Sequence, residues 1–340
     1  MVPETGAVDV SPGLPVSVTV ADGTIETLTL TNPDGKVVIG TLAPDKTSWT
    51  VGEHLGYSKT YTWAGTAKGA DGKEVPIAGQ FTTVTPQHIV DSKINTGDGK
   101  TYGIAMPIAI TFDADVVDRA AAQAALTVET SVPVEGAWSW LNARSVHYRP
   151  KTYWPPNITV NVSAKLYGVH YGEGKYGDDD LTSSFTIGRS QIVKADSHTH
   201  RMIVIRDGVE VANYPASYGL ESDPRRITRA GIHVVMSKHE SYTMSSETFG
   251  YEGVTVPYAV RISNNGEFVH GYANSISAQG NRNVSHGCLN LSPANAKLYF
   301  ESALVGDPVE VVSSVPLTAR DGDFYDWVIP WEEWLANSAA

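Results

Sequence analysis

No stretch of the first 85 residues carries the 3.6-residue apolar period of a helix; alternation with period two, broken by turns, recurs throughout. Val16-Ser17-Val18-Thr19-Val20 alternates, Asp22-Gly23 turns, and Thr27-Leu28-Thr29-Leu30-Thr31 alternates again before Asn32-Pro33-Asp34-Gly35. Strand-like runs follow at 36–42, 57–64 and 79–84, with Asp71-Gly72 between the last two. Short strands punctuated by Gly and Pro (31 and 19 in the 340-residue chain) predict a small immunoglobulin-like β-sandwich over residues 8–86.

The pattern continues over residues 87–189, a second expected sandwich. Strand-like runs lie at 106–112, 158–164 and 183–187, and a hairpin pair at 136–141 and 146–149. The Ala-rich segment 118–126 has the propensity of one short helix. Residues 190–315 form a third, mostly β block. It opens with a hairpin in which Asp207-Gly208 joins Arg201-Met202-Ile203-Val204-Ile205-Arg206 to Val209-Glu210-Val211. Further strands are expected at 232–236, 258–263, 266–270 and 309–312. The main helix is expected at 292–304, with Ser292 as N-cap, Pro293 at the first helical position and Gly306 just past the end. The tail, 316–340, is aromatic. Trp327, Trp331 and Trp334 could form a sugar- or peptide-binding platform, but anchoring the C-terminus on the middle domain is the favoured reading.

Composition narrows the function. Thirty-seven acidic residues against 25 Lys and Arg give a net charge of −12, without any basic run, so a nucleic-acid partner is not expected. No apolar run approaches the roughly 18 residues of a membrane span. The single Cys excludes an internal disulfide and Cys₄ or Cys₂His₂ zinc sites. The opening Met1-Val2-Pro3-Glu4-Thr5-Gly6 has neither the basic nor the apolar part of a signal peptide.

That cysteine sits in Asn283-Val284-Ser285-His286-Gly287-Cys288-Leu289-Asn290. It follows a Gly, stands two residues after a His, and lies just before the capped helix. A turn of this kind offers backbone N–H groups to a thiolate or an oxyanion. A nucleophilic thiol needs a base, because only the thiolate attacks. His270, at the end of an expected strand, and His286 in the same loop are the candidates. A His₂Cys metal site made by His270, His286 and Cys288 is a weaker alternative, since no sequence-adjacent carboxylate orients the imidazoles. Papain-like chemistry is disfavoured, because there the Cys precedes the His.

His270, fourteen intervening residues (Gly271 through Val284), then Ser285-His286-Gly287-Cys288-Leu289-Asn290 resembles the active-site signature of the L,D-transpeptidases, with their YkuD-type catalytic domain. Two sandwich blocks, a catalytic block and a Trp327-Val328-Ile329-Pro330-Trp331 tail look like the mycobacterial and related actinobacterial members. The resemblance implies a mainly β chain: two Ig-like domains, a β-rich catalytic domain with one main helix, and an aromatic tail. It implies Cys288 as nucleophile and His270 as base, with the Gly271 carbonyl fixing the imidazole tautomer. Backbone N–H groups of Gly287 and Cys288 would form the oxyanion hole, with His286 shaping it. Asn290 and Ser285 would steady loop or substrate, and His239, Met244, Phe249, Tyr251 and Tyr258 would belong to a lid over residues 239–250 or to the pocket wall. Two positions depart from the family: Gly271 stands where Ser is common, and Phe249 where Tyr is common.

The implied reaction is 3→3 cross-linking of peptidoglycan. A tetrapeptide donor stem loses D-Ala, an acceptor stem's diamino acid supplies the amine, and carbapenem β-lactams acylate the same Cys. No cofactor or metal is implied, and a monomer is the plain expectation. The location would be extracytoplasmic, in the cell envelope or periplasm, secreted or membrane-anchored; the leader is then expected to be absent here and Met1 to be added. A wall endopeptidase or carboxypeptidase using the same Cys–His pair, and a non-catalytic wall-binding protein, are the alternatives. The second leaves the Ser285–Cys288 loop without explanation.

Overall fold

The computed structural model describes residues 1–318 and 324–339. Part of the tail expected at 316–340, namely 319–323 and 340, lies outside the described residues. The chain is mainly β, as expected.

The first sandwich closes two three-stranded sheets. One has Ser48–Val51 between Ser17–Thr19 and Gly40–Leu42, the other Thr60–Gly69 between Gly23–Thr31 and Glu74–Thr82. Alternation, reset by a bulge between Ile25 and Thr27, sends Ile25, Leu30, Trp63 and Phe81 inward, where Trp49 meets Trp63 edge to face at 5.4 Å. The run expected at 36–42 is a strand only over Gly40–Leu42. Its Val37 and Ile39 are exposed, so little burial stabilises a longer pairing.

The second sandwich packs a four-stranded sheet ending on Gly136–Asn142 and Ser92–Ile94 against another containing Leu126–Thr130, Thr159–Ala164 and Leu181–Ile187. Its short helix, Arg119–Ala124, is capped by the Asp118 side chain, which accepts from the Ala121 amide. Tyr57 and Tyr167 join the two sandwiches: the Tyr57 hydroxyl donates to the Gly177 carbonyl at 2.6 Å and the Tyr167 hydroxyl to the Leu55 carbonyl at 2.5 Å.

The third unit has a five-stranded sheet, ordered Val209–Pro215, Arg201–Arg206, Gln191–Asp196, Pro308–Val312, Gly231–Val234. Beside it lies a four-stranded sheet, ordered Ser237–Ser246, Tyr251–Arg261, Phe268–Gly271, Leu289–Leu291. Val193, Met202, Val204, Val260, Val269, Leu289 and Leu291 fill the core between them. The main helix, Pro293–Ser302, closes that core with Ala296 and Tyr299; Ser292 accepts the Asn295 amide at 3.2 Å.

The tail returns to the second sandwich. Trp334, fully buried, donates its indole N–H to the Ala137 carbonyl at 2.9 Å, and Trp327 donates to Ala105 at 2.8 Å. The Arg149 guanidinium lies over the rings of Trp327, Trp331 and Trp334 at 4.9, 5.1 and 4.7 Å. His147 and Asp326, both buried, meet at 2.8 Å. These rings are committed to packing, so the open-platform reading of the tail fails. A helix, Trp331–Ala336, carries two of them, where the sequence suggested no helix.

Candidate active site

The strands Phe268–Gly271 and Leu289–Leu291 run parallel, with His270 opposite Asn290. Paired residues face the same side of a sheet, and Cys288 immediately precedes the second strand. His270, Cys288 and Asn290 accordingly line one cavity of about 230 Å³, together with Ser285 and His286. Met244, Tyr251, Val254 and Val256 of the hairpin, and Tyr272, supply other walls.

His270 is buried, and its Nδ1 lies 3.0 Å from the Gly271 carbonyl. A carbonyl only accepts, so Nδ1 holds the proton and Nε2 is left as a base. Burial brings the His270 pKa down to about 4, partly opposed by that hydrogen bond. The ring is therefore neutral at pH 7. Since the contact is to backbone, Gly at 271 supplies what Ser would.

The thiol sits differently from the expectation of an ionised sulfur beside an imidazole. Cys288 keeps part of its surface exposed, but it packs with Val256, Ala259 and Phe268, and its Sγ–H donates to the Gly266 carbonyl at 3.6 Å. Burial pushes the thiol up to about 12; the Phe268 N–H works against this and the Glu267 carboxylate with it. At rest the pair is a neutral thiol and a neutral imidazole.

The loop before Cys288 is pinned along its backbone. Arg226 donates through Nη2 to the Val284 carbonyl at 2.7 Å and through Nε to the Ser285 carbonyl at 3.1 Å. The Thr228 hydroxyl donates to the Gly287 carbonyl at 2.8 Å and accepts the Gly219 amide at 3.0 Å. Ser285 bridges the turn: its hydroxyl donates to the Cys288 carbonyl at 2.7 Å and accepts the Gly287 amide at 3.1 Å. Gly287 holds φ at +123°, which requires glycine. In this arrangement its amide donates to the Ser285 hydroxyl, so it is not free at rest for the oxyanion-hole role expected of it. Asn290 exchanges backbone hydrogen bonds with Ser217, and its buried Oδ1 has no partner among the described residues.

His286 turns outward between the rings of Phe249 and Tyr251, at 4.9 and 5.2 Å. Partial burial and nearby Arg226 lower its pKa, with Asp223 opposing. The segment expected as a lid is one arm of a long hairpin, Ser237–Ser246 with Tyr251–Arg261, whose tip reaches this loop.

Two expected pocket residues lie elsewhere. His239 sits at the hairpin base opposite Ala259, its Nε2 3.0 Å from the Ser237 hydroxyl and its ring against Tyr242, five residues back along the strand from the cavity-lining Met244. Tyr258, at φ +54°, turns to Phe300 of the main helix at 5.8 Å. Neither lines the cavity. The weighed metal triad also fails, since no group of three His, Cys, Asp or Glu among the described residues is placed to hold an ion. Sequence reasoning missed Arg226, Thr228 and the buried Glu267, which accepts the Arg229 amide and the Ser263 hydroxyl at 2.8 Å each. They lie tens of residues from the residues they hold, apart from the local Glu267–Ser263 pair, and no local pattern marks them.

Residues 190–311 match the L,D-transpeptidase catalytic domain of the YkuD family, and residues 7–170 match a bacterial Ig domain. The chain is 48% identical to L,D-transpeptidase 5 of Mycobacterium tuberculosis, over 99% of this chain and 76% of that protein. The chain belongs to the L,D-transpeptidase family. It is 41% identical to L,D-transpeptidase 2 of the same species, over 98% of this chain and 83% of the relative. Among solved structures, LD transpeptidase LdtMt1 in complex with imipenem superposes with a TM-score of 0.56, at 35% identity, covering 67% of this chain and all of that one. L,D-transpeptidase 3 of M. tuberculosis, in complex with a faropenem-derived adduct, gives 0.53 at 30% identity, covering 65% of this chain and 97% of that one.

Proposed function

We propose that this L,D-transpeptidase joins peptidoglycan stems through an acyl-enzyme on Cys288. The observation that carries this reading is the arrangement in one cavity of a lone thiol and an imidazole whose Nδ1 is tied to a carbonyl, leaving Nε2 to take a proton. Because thiol and ring are both neutral at rest, reaction begins with a rotation of Sγ from the Gly266 carbonyl towards His270. Nε2 accepts the thiol proton as sulfur attacks the carbonyl between the third residue and terminal D-Ala of a tetrapeptide stem. The tetrahedral oxyanion forms against the Cys288 amide. Its collapse breaks the peptide bond, His270 returns the proton to the departing D-Ala amine, and a thioester remains. The side-chain amine of a second stem's diamino acid then attacks the thioester. His270 takes its proton and passes it back to sulfur as the 3→3 amide forms.

His286 and Asn290 shape the pocket around the stem, with Met244 and Tyr251 as its hairpin wall and Phe249 packed against the His286 ring. A carbapenem enters the same way: sulfur opens the strained lactam, and its nitrogen takes the proton. Such a substrate puts the proposed site of action outside the cytoplasmic membrane, in the cell envelope, with the two sandwiches as a stalk. Incubation with disaccharide-tetrapeptide tests the reading. Cross-linked dimer with released D-Ala is expected; tripeptide alone would replace aminolysis by hydrolysis, and unchanged substrate would remove the enzymatic reading.

A further inference from the structure

The turn that presents the nucleophile is held by a hydroxyl 59 residues earlier in the chain. Thr228 is 1% exposed, and its side chain has one proton to give. Since the Gly219 N–H occupies a lone pair at 3.0 Å, that proton is directed to the Gly287 carbonyl at 2.8 Å. In a trans peptide the C=O and N–H lie in one plane and point in opposite directions across the C–N bond. Fixing the Gly287 oxygen on the buried side therefore fixes where the Cys288 N–H points. The neighbouring amide, Gly287 N–H, is held by Ser285, and the Cys288 N–H has no hydrogen-bond acceptor among the described residues. One donor of the Gly287–Cys288 turn is thus left for the substrate, and its plane is set from Thr228.

We infer that Thr228 is a positioning residue for the oxyanion: through the Gly287 carbonyl it aims the Cys288 amide at the developing negative charge of the tetrahedral intermediate. Arg226 acts upstream of the same turn, on the Val284 and Ser285 carbonyls, but only Thr228 touches the peptide that carries the donor. A preorganised donor stabilises the transition state because it does not have to reorient as charge appears. Gly287, with φ at +123°, has no Cβ to restrain it, so the plane depends on this external tie. The inference rests on the proposed acyl transfer at Cys288.

The test compares Thr228→Val, which keeps shape and loses the hydroxyl, with Thr228→Ser, which keeps it. Two rates are read: acylation by imipenem, which develops an oxyanion, and alkylation of Cys288 by iodoacetamide at about pH 9, which does not. We expect Thr228→Val to lose about 10- to 100-fold in acylation, within the loss seen when an oxyanion donor is removed or misaligned. Alkylation should stay within about twofold of wild type, and Thr228→Ser should recover most of the acylation rate. Equal losses in both reactions would make Thr228 a general support of the fold and overturn the inference. So would unchanged acylation in Thr228→Val. Wild-type protein that alkylates but takes no imipenem adduct would instead overturn the acyl-transfer reading itself, and the inference with it.

Discussion

The two walls of the cleft are built on opposite plans. On one side the 284–288 turn has four of its carbonyls tied, by Arg226, Thr228 and Ser285, and lies beside the buried Glu267. On the other, the hairpin Ser237–Ser246 and Tyr251–Arg261 meets that turn through rings, Phe249 and Tyr251 against His286, with Arg225 over Phe249 at 5.9 Å. Most of the first hairpin strand is exposed or half-buried. Backbone ladder bonds in water with few buried contacts mark the low-stability end of a fold. A nucleophile and an oxyanion donor of the kind proposed demand sub-ångström placement, and a wall that only admits a substrate does not. On that proposal chemistry belongs to the pinned wall and accommodation to the ribbon.

Substitutions on the pinned wall should have the larger effects. His270→Ala is expected to slow carbapenem acylation on the order of 10²–10⁴-fold, as removal of a general base does. A loss below about tenfold would transfer the base role to His286, at the point where the pinned turn meets the hairpin, and blur the division between the walls. Arg226→Met frees the Val284 and Ser285 carbonyls while keeping an apolar stem. We expect about tenfold slower acylation, and an unaltered rate would show that the turn holds itself. On the ribbon, Met244→Ala or Phe249→Ala should change the apparent affinity for carbapenem about threefold and the saturating rate hardly at all. A collapse of the saturating rate would erase the distinction between the walls.

The resting state gives a pH test with a definite sign. The reactive form carries neutral His270 and protonated Cys288. With the imidazole lowered to about 4 and the thiol raised to about 12, that form dominates between those values. Acylation should thus be flat from about pH 6 to about pH 9 and fall only as the pH drops through the His270 value, where the ring gains a proton. A tenfold rise per pH unit through 8 to 9, as for an ordinary thiol, would mean a sulfur far better solvated than the packing around Phe268 implies.

How much of this was legible in the sequence follows the same division. The turn announced itself, because Ser285, His286, Gly287 and Cys288 are contiguous and His270 lies on the adjoining strand. The capped helix was legible from Ser292 and Pro293, whose roles are local. The hairpin was not, because Lys238, Glu240, Ser241, Thr243 and Ser245 give it no apolar alternation to read. Tyr258 was misplaced for a related reason: its left-handed backbone turns the ring from the cleft to the helix side. Thr228 and Arg226 act across nearly 60 residues, through contacts only the closed chain creates. The helix Trp331–Ala336 escaped because six residues are too few for a period, and its stability comes from burying Trp334.

Intact-mass measurement after mixing the protein with imipenem reaches the central claim most directly. Covalent attack by the one thiol of the cleft requires wild-type protein to gain one adduct mass in stoichiometric yield and Cys288→Ala to gain none. A folded wild-type protein that keeps its native mass, or an adduct that persists in the Ala variant, would contradict it.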